Sequence, residues 1–228
     1  KAKLKLKLAD ILTTQEQFNR ALVLYTQVYS QIKNSSLAQQ ARFKSAKLSY
    51  YKGDFEWAET QLKVLKSSTS QLIANDALEL QLLITDHKHG DSLQVPLKLY
   101  AKADFLQLQK KPKAAFKVLD TLTKAHPSHA IIDQALMLQA QILESEADYT
   151  GAAQKYQAIL KDFSTEILAD DAYFALAELQ RNTFNAPEKA LLLYEKIIFE
   201  HQDSIHFVDA KKHYRRLLEL SNSSSKNN

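Results

Sequence analysis

Apolar side chains recur at intervals of three and four along most of this chain, which is the period of an amphipathic helix. Between residues 135 and 143, apolar or small side chains fall on one helical stripe, and a second stripe follows between residues 149 and 160. Asp148 stands between the two stripes, where a short carboxylate side chain favours the start of a helix. The pattern therefore predicts two consecutive helices joined by a short turn.

The predicted helix pairs form an internal repeat that is marked by alanine. In each copy, two alanines with eleven residues between them are followed one turn later by a large side chain. The four copies are Ala9/Ala21/Tyr25, Ala46/Ala58/Leu62, Ala103/Ala115/Leu119 and Ala140/Ala152/Tyr156, and a fifth with one extra residue is Ala177/Ala190/Tyr194. Small side chains allow two helix backbones to approach closely. We therefore expect the alanines to be buried where paired helices touch.

The spacing of the repeats predicts the organisation of the chain. Successive first alanines lie 37, 57, 37 and 37 residues apart, so the second interval contains one additional helix, which we place at residues 71–88. This irregularity predicts either a bend in the stack of hairpins or a division into two lobes, residues 1–92 and 93–220. The predicted segments are two repeats at 1–67, an extra helix and irregular loop at 68–92, three repeats at 93–202, a capping helix at 203–220 and a disordered tail at 221–228.

Composition supports an all-helical chain without catalytic chemistry. Only three glycines and four prolines occur in 228 residues, too few for the many tight turns of a β-sandwich or barrel. Isolated glycines form neither a phosphate-cradling loop nor a nucleophile elbow, and no cysteine is present to supply a thiolate. No apolar run approaches the roughly 18 to 20 residues of a membrane span. We expect no enzyme activity, no cofactor and no transmembrane segment.

One cluster of histidines and aspartates has the residue types of a metal site. His87 and His89 lie near Asp86 and Asp91, and imidazole and carboxylate are both zinc ligands. The helical His-Glu-x-x-His spacing is missing, so we favour a solvated loop over a metal site.

The alanine pattern resembles the tetratricopeptide repeat, a helix-turn-helix unit of about 34 residues with small residues at its eighth and twentieth positions. Ala103, Ala115, Leu119 and Pro127 match its eighth, twentieth, twenty-fourth and thirty-second positions. The resemblance covers about residues 1–67 and 95–202, with a longer period as in bacterial repeats of this type. It implies an all-α, right-handed α-solenoid (superhelix) of about 12 helices: five full repeats, an extra helix and a C-terminal capping helix.

The resemblance also implies a binding face. In this family the first helix of each repeat lines the concave side, and its second, fifth, ninth and twelfth positions commonly contact the partner. The candidate partner-binding residues are Phe43, Lys47, Tyr50, Tyr51, Tyr100, Asp104, Gln107, Met137, Gln141, Glu144, Phe174, Glu178 and Arg181. An apolar ladder along these positions suits an extended or helical peptide. The alternative is that the ladder packs on itself as core, and the sequence leaves both open.

Charge limits the choice of partner. The net charge is only +4, but residues 1–66 carry 12 basic and 5 acidic side chains, whereas residues 128–203 carry 5 and 13. A phosphate backbone would be repelled by the acidic part. A non-catalytic scaffold that binds a protein or peptide is therefore preferred to the alternative, a nucleic-acid-binding helical repeat. The asymmetry suits head-to-tail self-association or a solvated outer face. The compartment stays open: an upstream signal would direct the chain to the periplasm or cell envelope, and its absence to the cytoplasm.

Overall fold

The computed structural model describes residues 1–33, 35–65, 70–88 and 93–225, and within these ranges the regular structure is entirely helical. The helices of the described residues are α1 (Ala2–Thr14), α2 (Phe18–Gln31), α3 (Ser36–Tyr51), α4 (Phe55–Leu65), α5 (Gln71–His87), α6 (Val95–Leu108), α7 (Pro112–Ala125), α8 (Ile132–Ser145), α9 (Tyr149–Asp162), α10 (Ala169–Asn182), α11 (Pro187–Glu200) and α12 (Phe207–Ser225). Within each compact unit, helices that follow one another along the chain pack together. The predicted all-α helical-repeat architecture is confirmed.

The repeated alanines lie where the paired helices touch. All ten are fully buried, from Ala9 and Ala21 in the first pair to Ala177 and Ala190 in the fifth. The large side chain one turn after the second alanine is buried in every pair as well. A longer side chain at an alanine site would hold the two backbones apart. The sequence repeat therefore encodes the contact within each helical hairpin.

The turns inside the hairpins repeat as closely as the alanines. Four of them contain one residue in the left-handed region, namely Glu16, Gly53, Lys110 and Ala147, with φ between 61° and 78°. At each, the amide of that residue donates to the carbonyl three positions earlier, and the next amide donates five positions back; for Gly53 and Asp54 the acceptors are Tyr50 and Ser49, both at 2.9 Å. This pair of bonds is the Schellman ending of a helix. Only one of the four positions is glycine, so the other three carry a local backbone cost.

The fifth turn differs because its hairpin has one extra residue. Asn185 takes the left-handed conformation, and the amide of Ala186 reaches back six positions to the carbonyl of Gln180. Asn185 is therefore part of the turn, although Asn185 with Glu188 resembles a capping box in the sequence. The residue at the N-cap of α11 is Ala186, and no side chain caps this helix end.

The first compact unit runs from Lys1 to Ile131 and contains α1 to α7. Its unpaired helix, α5, packs against α4 and α3. Glu59 of α4 is buried and pairs with Lys88 at 2.5 Å and with Lys63 at 2.8 Å. Hydrogen bonds from these two lysines outweigh burial and lower the pKa of Glu59. The extra helix predicted at 71–88 is thus present and is held to α4 by a buried ion pair.

Helix α6 closes the first unit by packing across α3. Near the C-terminal end of α6, Phe105 meets Phe18 of α2 edge to face, with ring centroids 5.3 Å apart. The Gln109 amide donates to the carbonyl of Thr14 at 2.8 Å and to Glu16 Oε1 at 3.0 Å. The third hairpin is therefore attached to the first, although about 90 residues separate these groups in sequence.

The second compact unit runs from Ile132 to Asn228 and contains α8 to α12. Each helix packs on the next along the chain, and α12 covers α11 through Ala210 and its neighbours. Helix α12 ends at Ser225, so the backbone stays helical beyond the predicted boundary at residue 220 and into the segment predicted as a disordered tail. Residues 226–228 lie outside the described residues.

The boundary between the compact units is not the predicted one. The sequence placed it at residues 92/93, whereas the units meet at Ile131/Ile132. The reason is the contact of α6 with α3, which assigns the third hairpin to the first unit.

The two units differ in charge. The first contains 20 basic and 11 acidic residues, and the second contains 10 basic and 15 acidic residues. In the described part of the chain, no helix combines the length and apolar composition needed to cross a bilayer.

Candidate functional site

In the first unit, the predicted binding residues of α3 and α6 face one another. Lys47 Nζ lies 3.8 Å from Asp104 Oδ2 across the two helices. Tyr50 is completely buried, and the ring of Tyr51 packs on Phe105 with centroids 5.0 Å apart. Tyr50 therefore cannot contact a partner. At this place α3 and α6 pack on each other, and Tyr50 is part of the core between them.

The charges in this contact are partly desolvated. Burial raises the pKa of the Asp104 carboxyl, and nearby Lys47 and the hydrogen bond with Tyr51 offset only part of that effect. Burial also raises the pKa of Tyr50 well above its ordinary value. The Tyr50 hydroxyl has no hydrogen-bond partner among the described residues. Tyr50 offers no surface for recognition, whereas the side chains of Lys47 and Asp104 stay 38% and 30% exposed.

Three further predicted residues of the first unit are half-buried: Phe43, Tyr100 and Gln107. Each of these side chains keeps part of its surface exposed. Their role in a binding face stays a prediction.

In the second unit the corresponding face remains accessible on α8. Gln141 is exposed, and Met137, one turn earlier, is 8% exposed and belongs to the core. The half-buried Glu144 accepts a hydrogen bond at 2.6 Å from the hydroxyl of Tyr156 on α9. Burial and the Glu144 carboxylate both raise the pKa of Tyr156, so this hydroxyl stays a donor. Glu144 is thus held in one orientation at the edge of the face.

Helix α10 adds an aromatic and acidic group that the sequence analysis did not assemble. His206 Nε2 lies 2.7 Å from Asp171 Oδ1, and the imidazole stacks on Phe174 with centroids 4.2 Å apart and an interplanar angle of 6°. The Asp171 side chain is 39% exposed. Asp171 occupies the second position of its repeat when Ala177 is counted as the eighth, so counting from Ala177 could have found it. His206 lies in the connection before α12, and no repeat position predicts it.

Glu178 is the centre of a second polar group on α10. It accepts hydrogen bonds from the hydroxyl of Tyr194, from Arg181 Nη2 at 2.6 Å and from Asn182 Nδ2 at 3.0 Å. Arg181 Nη1 in turn lies 3.0 Å from His213 Nδ1 of α12. Partial burial raises the pKa of Glu178, but the bonds from Tyr194 and Arg181 outweigh it and lower the pKa overall. Glu178 and Arg181 therefore form a fixed, ionised pair.

The histidine loop was the candidate metal site. The ring of His87 lies 6.3 Å from that of His129, and burial lowers the pKa of His87. His89 and Asp91 lie outside the described residues. Among those that are described, no three histidine, aspartate or glutamate side chains converge as metal ligands would.

The two units therefore differ in what the predicted face can do. On α8 and α10, carboxylate, guanidinium, amide and aromatic groups lie at or near the surface in fixed orientations. Groups held in this way lose little conformational entropy when they bind.

A scan of the chain against protein-family models gave no match, and a search of curated proteins gave no match either.

Proposed function

We propose that this protein is a non-catalytic scaffold of tetratricopeptide type that binds a peptide or protein segment. The contact surface is the face of α8 and α10 that carries Gln141, Glu144, Asp171, Glu178 and Arg181. The alanine-marked hairpins support the family assignment, because their small residues occupy the positions that the repeat requires.

The observation that carries the proposal is the preorganised polar face of the second unit. Each of its charged side chains already has an intramolecular partner that sets its direction, as Tyr194 does for Glu178 and Tyr156 for Glu144. The remaining acceptor positions of these carboxylates can take amide or cationic donors from a polypeptide. Phe174, stacked beside them, supplies an apolar contact for a neighbouring side chain.

Site-specific crosslinking tests this face directly. The photoreactive p-benzoylphenylalanine replaces Gln141 in the full chain, and the matched control carries it at Gln157, an exposed position on α9. Irradiation in an extract of the native cells should give discrete protein adducts at position 141 and few at position 157. Mass spectrometry of the adducts then identifies the partner.

Two outcomes would contradict the proposal. The first is an identical adduct pattern at positions 141 and 157, which would mean that the α8–α10 face has no preference for protein. The second is tight binding of single-stranded RNA that weakens steeply with salt, because counterion release on phosphate contacts gives that dependence. The second result would support the nucleic-acid-binding alternative.

A further inference from the structure

A separate groove lies in the first unit, on the side where the hairpin turns meet α6. Its volume is about 340 Å³, and the turn after α1, the turn after α3 and the outer side of α6 line it. None of the predicted binding residues except Tyr51 belongs to it. The groove is therefore a second surface, distinct from the α8–α10 face of the proposed function.

The base of the groove is aromatic and fixed by packing. Phe105 is 7% exposed, and it contacts Phe18 edge to face and Tyr51 at a tilt, with centroids 5.3 and 5.0 Å away. Aromatic side chains held in this way offer a rigid apolar contact at small entropic cost. An apolar side chain of a ligand can lie against them.

Three lysines surround this base: Lys52, Lys98 and Lys102. Lys98 is committed, because its Nζ donates to the carbonyl of Leu93 at 2.7 Å and its methylene chain lies against Gly53. Lys52 and Lys102 are exposed, and neither forms an ion pair within the part of the chain that the structure describes. Two uncommitted ammonium groups thus stand beside an apolar base, in a unit with nine more basic than acidic residues.

The end of the groove distinguishes the kinds of anion that fit. Glu16 and Gln109 line it there, and the Gln109 amide donates to Glu16 Oε1 at 3.0 Å. A carboxylate at this point repels phosphate and carboxylate groups alike, but it can accept a hydrogen bond from a peptide amide, a donor that a phosphate backbone does not supply. Lysines on the rim, an aromatic base and a terminal acceptor together match a polypeptide better than a nucleic acid.

We propose that this groove binds an acidic peptide segment that carries an apolar side chain. The segment's carboxylates pair with Lys52 and Lys102, its apolar side chain packs on Phe105 and Phe18, and a backbone amide donates to Glu16. The site is independent of the α8–α10 face, so the scaffold has two binding surfaces with partners of different charge.

Fluorescence anisotropy of the full-length protein tests the groove. The probe is a fluorescein-labelled Glu-Asp-Phe-Asp-Glu-Leu peptide, and the comparison probes are its analogue with lysine at the four acidic positions and a six-nucleotide uridine RNA. The structure predicts that the acidic peptide binds more tightly than either comparison probe. In the double variant Lys52→Glu/Lys102→Glu, its affinity should fall by about tenfold or more, since two attractions become repulsions.

The matched control is Lys3→Glu/Lys7→Glu, which makes the same change in net charge at exposed positions of α1 outside the groove. Its affinity should stay within about twofold of the unchanged protein, because only screened, distant charges are altered. Circular dichroism melting verifies that both variants are folded. Equal losses in the two double variants, equal binding of the lysine analogue, or tighter binding of the RNA would each overturn the assignment. Crosslinking at position 141 is independent of all these results, so failure of one proposal is distinguishable from failure of the other.

Discussion

Asp104 of the first unit and Glu178 of the second occupy the same place in their hairpins, since each directly follows the first alanine. Their environments are opposite. Asp104 lies in the α3–α6 contact, where burial raises its pKa. Glu178 is about as exposed as Asp104, but it lies among three hydrogen-bond donors, and the bonds from Tyr194 and Arg181 lower its pKa despite partial burial. The repeat sets the position of a carboxylate along the helix, but the neighbouring helices set its chemistry.

The extra helix accounts for the difference. In the second unit α9 packs against both α8 and α10. In the first unit α5 has no partner hairpin, and the next helix, α6, packs across α3 instead. The same register position therefore faces a neighbouring helix and a single lysine in one unit, and several hydrogen-bond donors in the other.

The largest expected effect on stability comes from truncating Tyr50, the fully buried aromatic side chain of the first unit. Tyr50→Ala should lower the free energy of unfolding by about 3 to 5 kcal/mol, the usual cost of deleting a buried aromatic ring. Phe174→Ala, at a half-buried position of α10, should cost about 1 kcal/mol because less apolar area is lost. Urea denaturation followed by circular dichroism measures both. Equal losses would show that the two faces are equally packed and would end the distinction.

A smaller effect is expected at the contacts that both units share. Ala46→Leu in the first unit and Ala140→Leu in the second should each destabilise the protein by about 1 to 3 kcal/mol, because a fully buried alanine site has no room for the larger side chain. Ala125→Leu, at an exposed position of α7, is the control and should change stability little. A melting temperature unchanged by Ala140→Leu would remove the close-contact role of that alanine.

Glu178→Gln should cost about 1 to 2 kcal/mol at neutral pH, since hydrogen bonds to an ionised carboxylate are lost. The pKa of Glu178 is lowered in the folded state, so its stabilisation is present above the ordinary glutamate pKa. It disappears as the pH falls through the lowered value. Urea unfolding between about pH 3 and pH 7 should therefore show the variant and the unchanged protein converging in acid. A constant difference across this range would contradict the assigned ion pair.

Asp104→Asn should show the opposite dependence on pH. Because the folded state raises the pKa of Asp104, its contribution to stability is largest below the ordinary aspartate pKa and declines as the pH rises through the raised value. The variant, which cannot ionise, should gain stability relative to the unchanged protein over that interval. The same pH series of urea unfolding measures it. A relative loss over that interval would mean that the pair with Lys47 outweighs desolvation.

The smallest effect is expected at the hairpin turns, where the units should not differ. Lys110→Gly and Ala147→Gly should each stabilise the protein by about 0.5 to 1 kcal/mol, because glycine adopts positive φ without steric cost. Gly53→Ala should destabilise it by a similar amount, since its Cβ would also lie 3.3 Å from Lys98 Cε. Thermal melting of the three variants checks this. A gain in only one unit would show that the turns are not equivalent.

Much of the fold follows from local sequence signals. The three-and-four periodicity gave the helices, and the alanine pairs gave the hairpin contacts, because both depend on residues within one hairpin. The turn residues were harder to predict. Among the four residues that take the left-handed conformation in the Schellman turns, only Gly53 is a glycine. Glu16, Lys110 and Ala147 take that conformation because the hairpin contact on either side requires it.

The binding face could be predicted only as a set of register positions. Asp171, Glu178 and Arg181 are half-buried, and their partners His206, Tyr194 and His213 come from other helices or connections. The groove around Phe105 combines three segments that are distant in sequence. The helical periodicity of a sequence does not show which distant segments contact one another in the fold.

The sequence by itself determined that this protein is a series of helical hairpins, because helix period, small contact residues and the spacing between them are properties of neighbouring residues. Only the tertiary structure decided which inner positions are core and which are surface. That outcome depends on α6 packing on α3 across an irregular segment, and on the desolvation that follows. Burial is a property of the whole packed unit, so identical register positions acquired different chemistry.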